Sequence, residues 1–190
     1  YLVGEENNGL ACMFTMMNLT RLLVGIQGPG IGERAYQQAA NYARERVQGA
    51  NSSGETVPII EHPDVKRMLL DMKAKTEACR SITIYTASCI DRSKRAPADA
   101  ERAKFLSRLE LLTPIAKAWC SNVGIDIAST GIQVHGGTGF IEETGAAQHY
   151  RDIRITAIFE GANGIQAKDL VGRKVIRDNG EALKLLSTEI

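Results

Sequence analysis

The sequence has almost no net charge. Its 23 lysines and arginines stand against 22 aspartates and glutamates, a formal balance of +1. A chain so balanced offers no electrostatic footprint for a phosphate backbone, so a dedicated nucleic-acid binder is disfavoured. Long hydrophobic runs are missing as well. Nothing approaches the roughly eighteen apolar residues that a membrane span needs, and no span is expected. The four cysteines, Cys12, Cys79, Cys89 and Cys120, lie 67, 10 and 31 residues apart. With no CxxC pair and no Cys/His ligand spacing, neither a disulfide framework nor a metal site follows. They read as buried free thiols, which points to a reducing compartment. The first residue is Tyr1 rather than Met, with no signal or transit sequence, so the expectation is a piece of a longer protein.

Strand signals are scarce, and no repeat of fixed period is visible. What is present is 190 residues, 44% hydrophobic, with 18 glycines and 5 prolines. That is one domain able to bury a core, neither disordered nor collagenous. Leu10, Phe14, Met17, Arg21 and Val24 recur at helical spacing and predict a helix over 9–49, closed by a polar loop at 49–54. Gly25, Gly28, Gly30 and Gly32 surround Pro29. They lack the preceding strand and the Lys-Ser/Thr ending of a phosphate loop. Close helix packing, with a kink at the proline, is the better reading.

A second helix opens at His62-Pro63, with Asp64 suiting its positive end. It carries Val65, Leu69, Met72 and Cys79 on one stripe and stops near 94–97. A short helix fills 98–111. Thr113-Pro114 reads as a cap opening a third long helix that runs to about 132. Gly136-Gly137-Thr138-Gly139 breaks the chain, and two shorter helices follow over 145–154 and 162–177. The expected fold is all-α, an up-down four-helix bundle forming a single domain over 1–190, with a further C-terminal segment beginning at about 180–190.

Chemistry concentrates in 133–166. Gln133-Val134-His135-Gly136-Gly137-Thr138-Gly139 ends a helix in bare backbone that a phosphate can approach. A simple helix C-cap has the same look, and spacing alone favours it. Arg151-Asp152-Ile153-Arg154 reads as a salt-bridged helix face. Glu160 follows Ile158-Phe159 and precedes Gly161. That context suits a desolvated general base but equally a helix-start acid favoured by the macrodipole, and the residues alone favour the acid.

Together these motifs resemble the C-terminal all-α domain of the acyl-CoA dehydrogenases. The family pattern Q-x-x-G-G-x-G-[FY] matches Gln133 through Phe140, R-D-x-[RK]-I matches Arg151 through Ile155, and [YF]-E-G-T-x-x-I-Q matches Phe159 through Gln166. Gln133 lies 27 residues before Glu160, and Arg21 lies 25 before Arg46, as in the family. The resemblance extends from Leu2 to Arg177. Arg46-Val47-Gln48-Gly49, Ile60 through Val65, Leu112 through Ile115 and Gly164 through Lys174 are similar to a bacterial subgroup of longer polypeptides. Those carry helical, β and helical domains and then an extra C-terminal segment.

The resemblance implies a flavoenzyme that oxidises an acyl-CoA thioester to the 2-enoyl-CoA, with FAD as cofactor, in bacterial fatty-acid β-oxidation. Glu160 matches the base that removes the α-proton. The Gly161 amide, with Arg21 and Asn18, matches the substrate side. Arg46, Gln48, Gln133, Gly136, Gly137, Ala162 and Gly164 match the FAD-binding positions. The family's threonine after Glu-Gly is Ala162 here, which removes a hydroxyl from that contact. Family members contact a neighbouring subunit's flavin, so a homodimer or homotetramer is implied, with electron-transfer flavoprotein as electron acceptor and a cytoplasmic location. A catalytically inactive helical interaction module and an acyl-CoA oxidase-like relative are the alternatives. The fragment alone is expected to be inactive.

Overall fold

The computed structural model describes residue 2 and residues 4–189. Tyr1, Val3 and Ile190, which include both ends of the expected 1–190 domain, lie outside the described residues. The all-α expectation holds. Helix α1 spans Gly9–Glu45, α2 Pro63–Arg95 and α3 Asp99–His135. The remainder is short: α4 over Gly137–Phe140, α5 over Ala146–Arg154, α6 over Asn163–Asp169, a π-helical stretch Leu170–Ile176, and α7 over Glu181–Ser187. Helix α7 falls where the further C-terminal segment was expected to begin.

Three local expectations are corrected. The first helix ends at Glu45, and the segment read as a loop is a two-stranded antiparallel hairpin, β1 over Val47–Ala50 and β2 over Thr56–Pro58. Its turn is set by Asn51, whose side-chain oxygen accepts from the Ser53 and Glu55 amides at 2.9 and 3.0 Å, a local pattern that competes with helix. The short helix over 98–111 and the helix expected to start at Thr113-Pro114 are one helix, α3. The Thr113 hydroxyl does not cap; it donates to Leu109 O one turn back at 2.7 Å. An internal proline costs about 3 kcal/mol. The neighbouring Leu111 and Leu112 are buried, and at about 1.5–3 kcal/mol for each such side chain their burial outweighs it. Finally, Cys12 is exposed, unlike buried Cys79, Cys89 and Cys120, because the first turns of α1 leave Leu10, Met13 and Phe14 uncovered too.

The chain resolves into two compact units. The first comprises Tyr1–Ile26, Ser81–Trp119 and Ile158–Ile190. Its core holds Leu22, Val24, Cys89, Phe105, Leu111, Leu112 and Ala116. The Arg92 guanidinium lies 3.8 Å from the Phe105 ring centroid, a cation–π contact that also covers the ring. A Cβ at Gly25 would come within 2.9 Å of Ala116 O, so α1 approaches α3 as closely as backbone allows. The second unit comprises Gln27–Arg80 and Cys120–Ala157, around Ala39, Ala43, Met72, Cys79, Cys120, Ile127 and Ile153. Here Gly28 abuts the Cys120 carbonyl, and a Cβ on Gly124 would stand 3.0 Å from Gly28 Cα. The glycines around Pro29 thus serve helix contact, and α1 runs through the proline.

One expectation about apolar runs fails by length and composition. Helix α1 is long and apolar enough to cross a membrane. No uninterrupted run is needed for that: glycine, threonine and thinly spread charge leave a weakly polar window. Much of this face is uncovered, with Leu10, Met16, Leu19, Leu23 and Ile26 exposed.

Candidate active site

In the first unit the chain turns a tight corner between the end of the second unit's last segment and α6. Glu160 has φ +54° and Gly161 φ +84°, two successive left-handed residues that aim the segment back into α6. Glu160 is half-buried. Gly161 is held from both sides. A Cβ there would lie 2.5 Å from Gln166 Nε2, which would have to shift, and 3.7 Å from both Nε and Nη2 of Arg21; the φ of +84° is what favours glycine. Gln166, fully buried, donates from Nε2 to Gly161 O at 3.1 Å. The carbonyl being engaged there, the corner's shape is fixed by a side chain within its own helix.

Arg21 lies under this corner. The sequence places it on an apolar stripe where a guanidinium must find an anion. That anion is Asp169: Arg21 Nη1 lies 3.2 Å from its Oδ2, and both side chains are 7% exposed. Arg21 Nε is buried without an acceptor. Asn18, one turn earlier, is exposed. With Arg21, Leu19, Ile90, Leu106 and Thr113 it lines a cavity of about 550 Å³.

Beneath the corner on α3 is Lys117, fully buried. Its Nζ donates to Asn163 Oδ1 at 3.0 Å, and Asn163 Nδ2 donates to Ala118 O at 3.2 Å. Burial pushes Lys117 down to about 8, the Arg21 charge adds to the effect, and the Glu160 charge opposes it. Ala162 caps α6 with no side-chain bond, and Gly164 is exposed.

The second unit carries the other expected residues. Arg46 is exposed just beyond α1, and its Nη2 donates to Gln48 Oε1 at 3.3 Å. Gln48 is fixed in turn through its carbonyl, 2.8 Å from His62 Nε2. The Tyr42 ring stacks on His135 with centroids 4.5 Å apart, and the Thr138 hydroxyl donates to the Tyr42 oxygen at 3.1 Å. These contacts bring the end of α1 beside the Gly136–Gly137 turn. Gly136 has φ +62°, and a Cβ at either glycine would meet nothing within 4 Å. Gln133 is exposed on the last turn of α3. An exposed guanidinium and an open, exposed glycine turn in the same unit fit a diphosphate, although the Gly136 amide is itself bonded to Gln133 O at 3.0 Å.

Three supports of the corner escape a sequence reading. Gln166 and Asp169 lie inside a recognisable motif, but only the fold shows what they hold. Lys117 has no local signal, since a lysine in a helix is ordinarily solvated.

Residues 7–175 match the family model for the acyl-CoA dehydrogenase C-terminal domain. The chain is 52% identical to 3-methylmercaptopropionyl-CoA dehydrogenase of Ruegeria pomeroyi, over 97% of the chain and 32% of that protein. It is 40% identical to butyryl-CoA dehydrogenase of Syntrophomonas wolfei, over 99% of the chain and 31% of that protein. Among solved structures, butyryl-CoA dehydrogenase from Megasphaera elsdenii superposes with a TM-score of 0.73 at 29% identity, over 89% of this chain and 39% of that one. The chain therefore spans about a third of the length of the curated relatives it matches.

Proposed function

The chain belongs to the acyl-CoA dehydrogenases, as their C-terminal domain, and from that premise we propose that it supplies the proton-abstracting part of an FAD-dependent acyl-CoA dehydrogenase. The observation that carries this reading is the left-handed Glu160–Gly161 corner, seated on the buried Arg21 guanidinium. Glu160 accepts the α-proton of an acyl-CoA thioester. An amide donor aimed at the thioester oxygen, assigned to Gly161, stabilises the enolate that develops. Gln166 fixes the following peptide, Gly161–Ala162, by donating to the Gly161 carbonyl.

Arg46, Gln133 and the Gly136–Gly137 backbone would hold the FAD diphosphate, with Gln48 beside Arg46; Ala162 and Gly164 are assigned to FAD by family membership. When bound, FAD supplies the two-electron acceptor for the β-hydrogen. The names of the relatives favour a short acyl group. Electron-transfer flavoprotein as acceptor, a homodimer or homotetramer, and a bacterial cytoplasmic setting complete the proposal and rest on family membership.

The test uses the full-length flavoprotein. Glu160→Gln keeps shape and removes basicity. It should leave FAD and acyl-CoA binding near the parent's while the rate of flavin reduction falls about 10²–10⁴-fold or more. Arg46→Ala should do the reverse, lowering FAD retention first and leaving the loaded fraction active. Parent-rate flavin reduction in Glu160→Gln would refute the assignment of the base.

A further inference from the structure

Among the described residues Lys117 is the only buried lysine. An ammonium out of water is costly unless something gains from its charge, and an apolar side chain would fill the same place on α3 without that cost. The structure shows what is attached to it. Lys117 Nζ donates to Asn163 Oδ1, and Asn163 Nδ2 donates back to the carbonyl of Ala118, the residue beside the lysine. Asn163 is the first residue of α6 and follows Glu160 by three positions. A closed ring of two hydrogen bonds thus ties the corner's exit to α3.

We propose that Lys117 is a positioning residue for Glu160: through Asn163 it pins the exit of the corner that carries the carboxylate. The proposal rests on the reading of Glu160 as the α-proton base. The charges that reach Lys117 are those of Arg21 on α1 and of Glu160 itself. Asp169 on α6 offsets the first, because it is bound to Arg21. Glu160 is therefore the anion whose charge partly opposes the lowering that burial and Arg21 impose on Lys117.

The coupling is read from the lysine side, in the full-length protein labelled with nitrogen-15 lysine. Lys117→Arg assigns the signal by its loss. Lys117 should titrate near pH 8 and move to lower pH in Glu160→Gln, which keeps the corner's shape and deletes the charge that holds the lysine up. A lysine signal at its ordinary value, or one unmoved by Glu160→Gln, overturns the proposal. The second measurement is the rate of flavin reduction by a saturating acyl-CoA, read beside acyl-CoA binding. In Lys117→Met the rate should fall about 10²-fold with FAD content and acyl-CoA binding unchanged, whereas Lys117→Arg should keep most of the parent's rate. A parent rate in a folded, FAD-loaded Lys117→Met also overturns it. Parent-rate reduction in Glu160→Gln would fail the base reading instead. That failure is recognised because the Lys117 titration shift would still be present.

Discussion

Arg21 and Asp169 are 148 residues apart in sequence and 3.2 Å apart in the fold, both buried. The pair joins α1 to the end of α6 directly below Gly161. Breaking a buried ion pair by removing one partner leaves an uncompensated charge, at about 3–5 kcal/mol. Asp169→Asn should therefore destabilise the chain by that order, by denaturant unfolding. The double variant Arg21→Met/Asp169→Leu should lose less than either single change predicts. If the two single losses simply added, the pair would not be the relevant unit.

Gly161→Ala tests the corner itself. It forces a Cβ to φ +84° and to 2.5 Å from Gln166 Nε2. The backbone part of that cost is about 1–3 kcal/mol. Adding Gln166→Ala relieves the clash but not the dihedral, and it removes the bond to Gly161 O. The double variant should therefore recover part of the thermal stability and none of the flavin-reduction rate. Full recovery of both would mean that the corner's geometry is unimportant.

The isolated chain should fold and self-associate. Its helices are long and well packed within each unit, so the far-ultraviolet circular dichroism should be strongly helical; a sheet-dominated spectrum would refute this. The uncovered α1 face, Leu10, Met16, Leu19, Leu23 and Ile26, is the apolar surface expected to drive association. Leu19→Lys/Leu23→Lys should shift sedimentation toward monomer with no change in helicity. Purified alone, the chain should carry little FAD.

A pH-dependent stability follows from Lys117. Its folded value is lowered to about 8 from an ordinary 10.5, so between those values the unfolded chain binds more protons than the folded one. Stability attributable to this group therefore rises with pH across about 8 to 10.5, and below 8 the burial penalty is present in full. Denaturant unfolding of parent and Lys117→Met should give a difference that moves in the parent's favour through that window, by up to about 3 kcal/mol. A constant difference would place the lysine's charge elsewhere.

The candidate site was marked by the family's spaced motifs, since local context alone favoured a helix C-cap at 136–137 and a helix-start acid at Glu160. Glu160, Gly161 and the glycine turn at 136–137 are marked by short motifs whose spacing survives in any fold. The long helices were legible from periodicity. The failures have a common cause, tertiary context. Thr113-Pro114 carries every local sign of a helix start, and only the burial of Leu111 and Leu112 keeps α3 unbroken. The hairpin after Arg46 is too short to show alternation. Leu10 and Phe14 fit a buried stripe by spacing, yet they face outward, because periodicity tells which residues share a face and not what covers it. Lys117 and Asp169 became visible only when their partners, 46 and 148 residues away, were brought to them.

The left-handed φ of +54° at Glu160 has a consequence for how this domain balances endurance against work. A glutamate there bears a conformational cost of order 1–3 kcal/mol that glycine would not. Glycine at 160 is thus the more comfortable residue for the chain, and it lacks the carboxylate that the proposed proton abstraction needs. The carboxylate occupies a position where its own backbone disfavours it, and the proposed base role would make that a stability–activity trade-off.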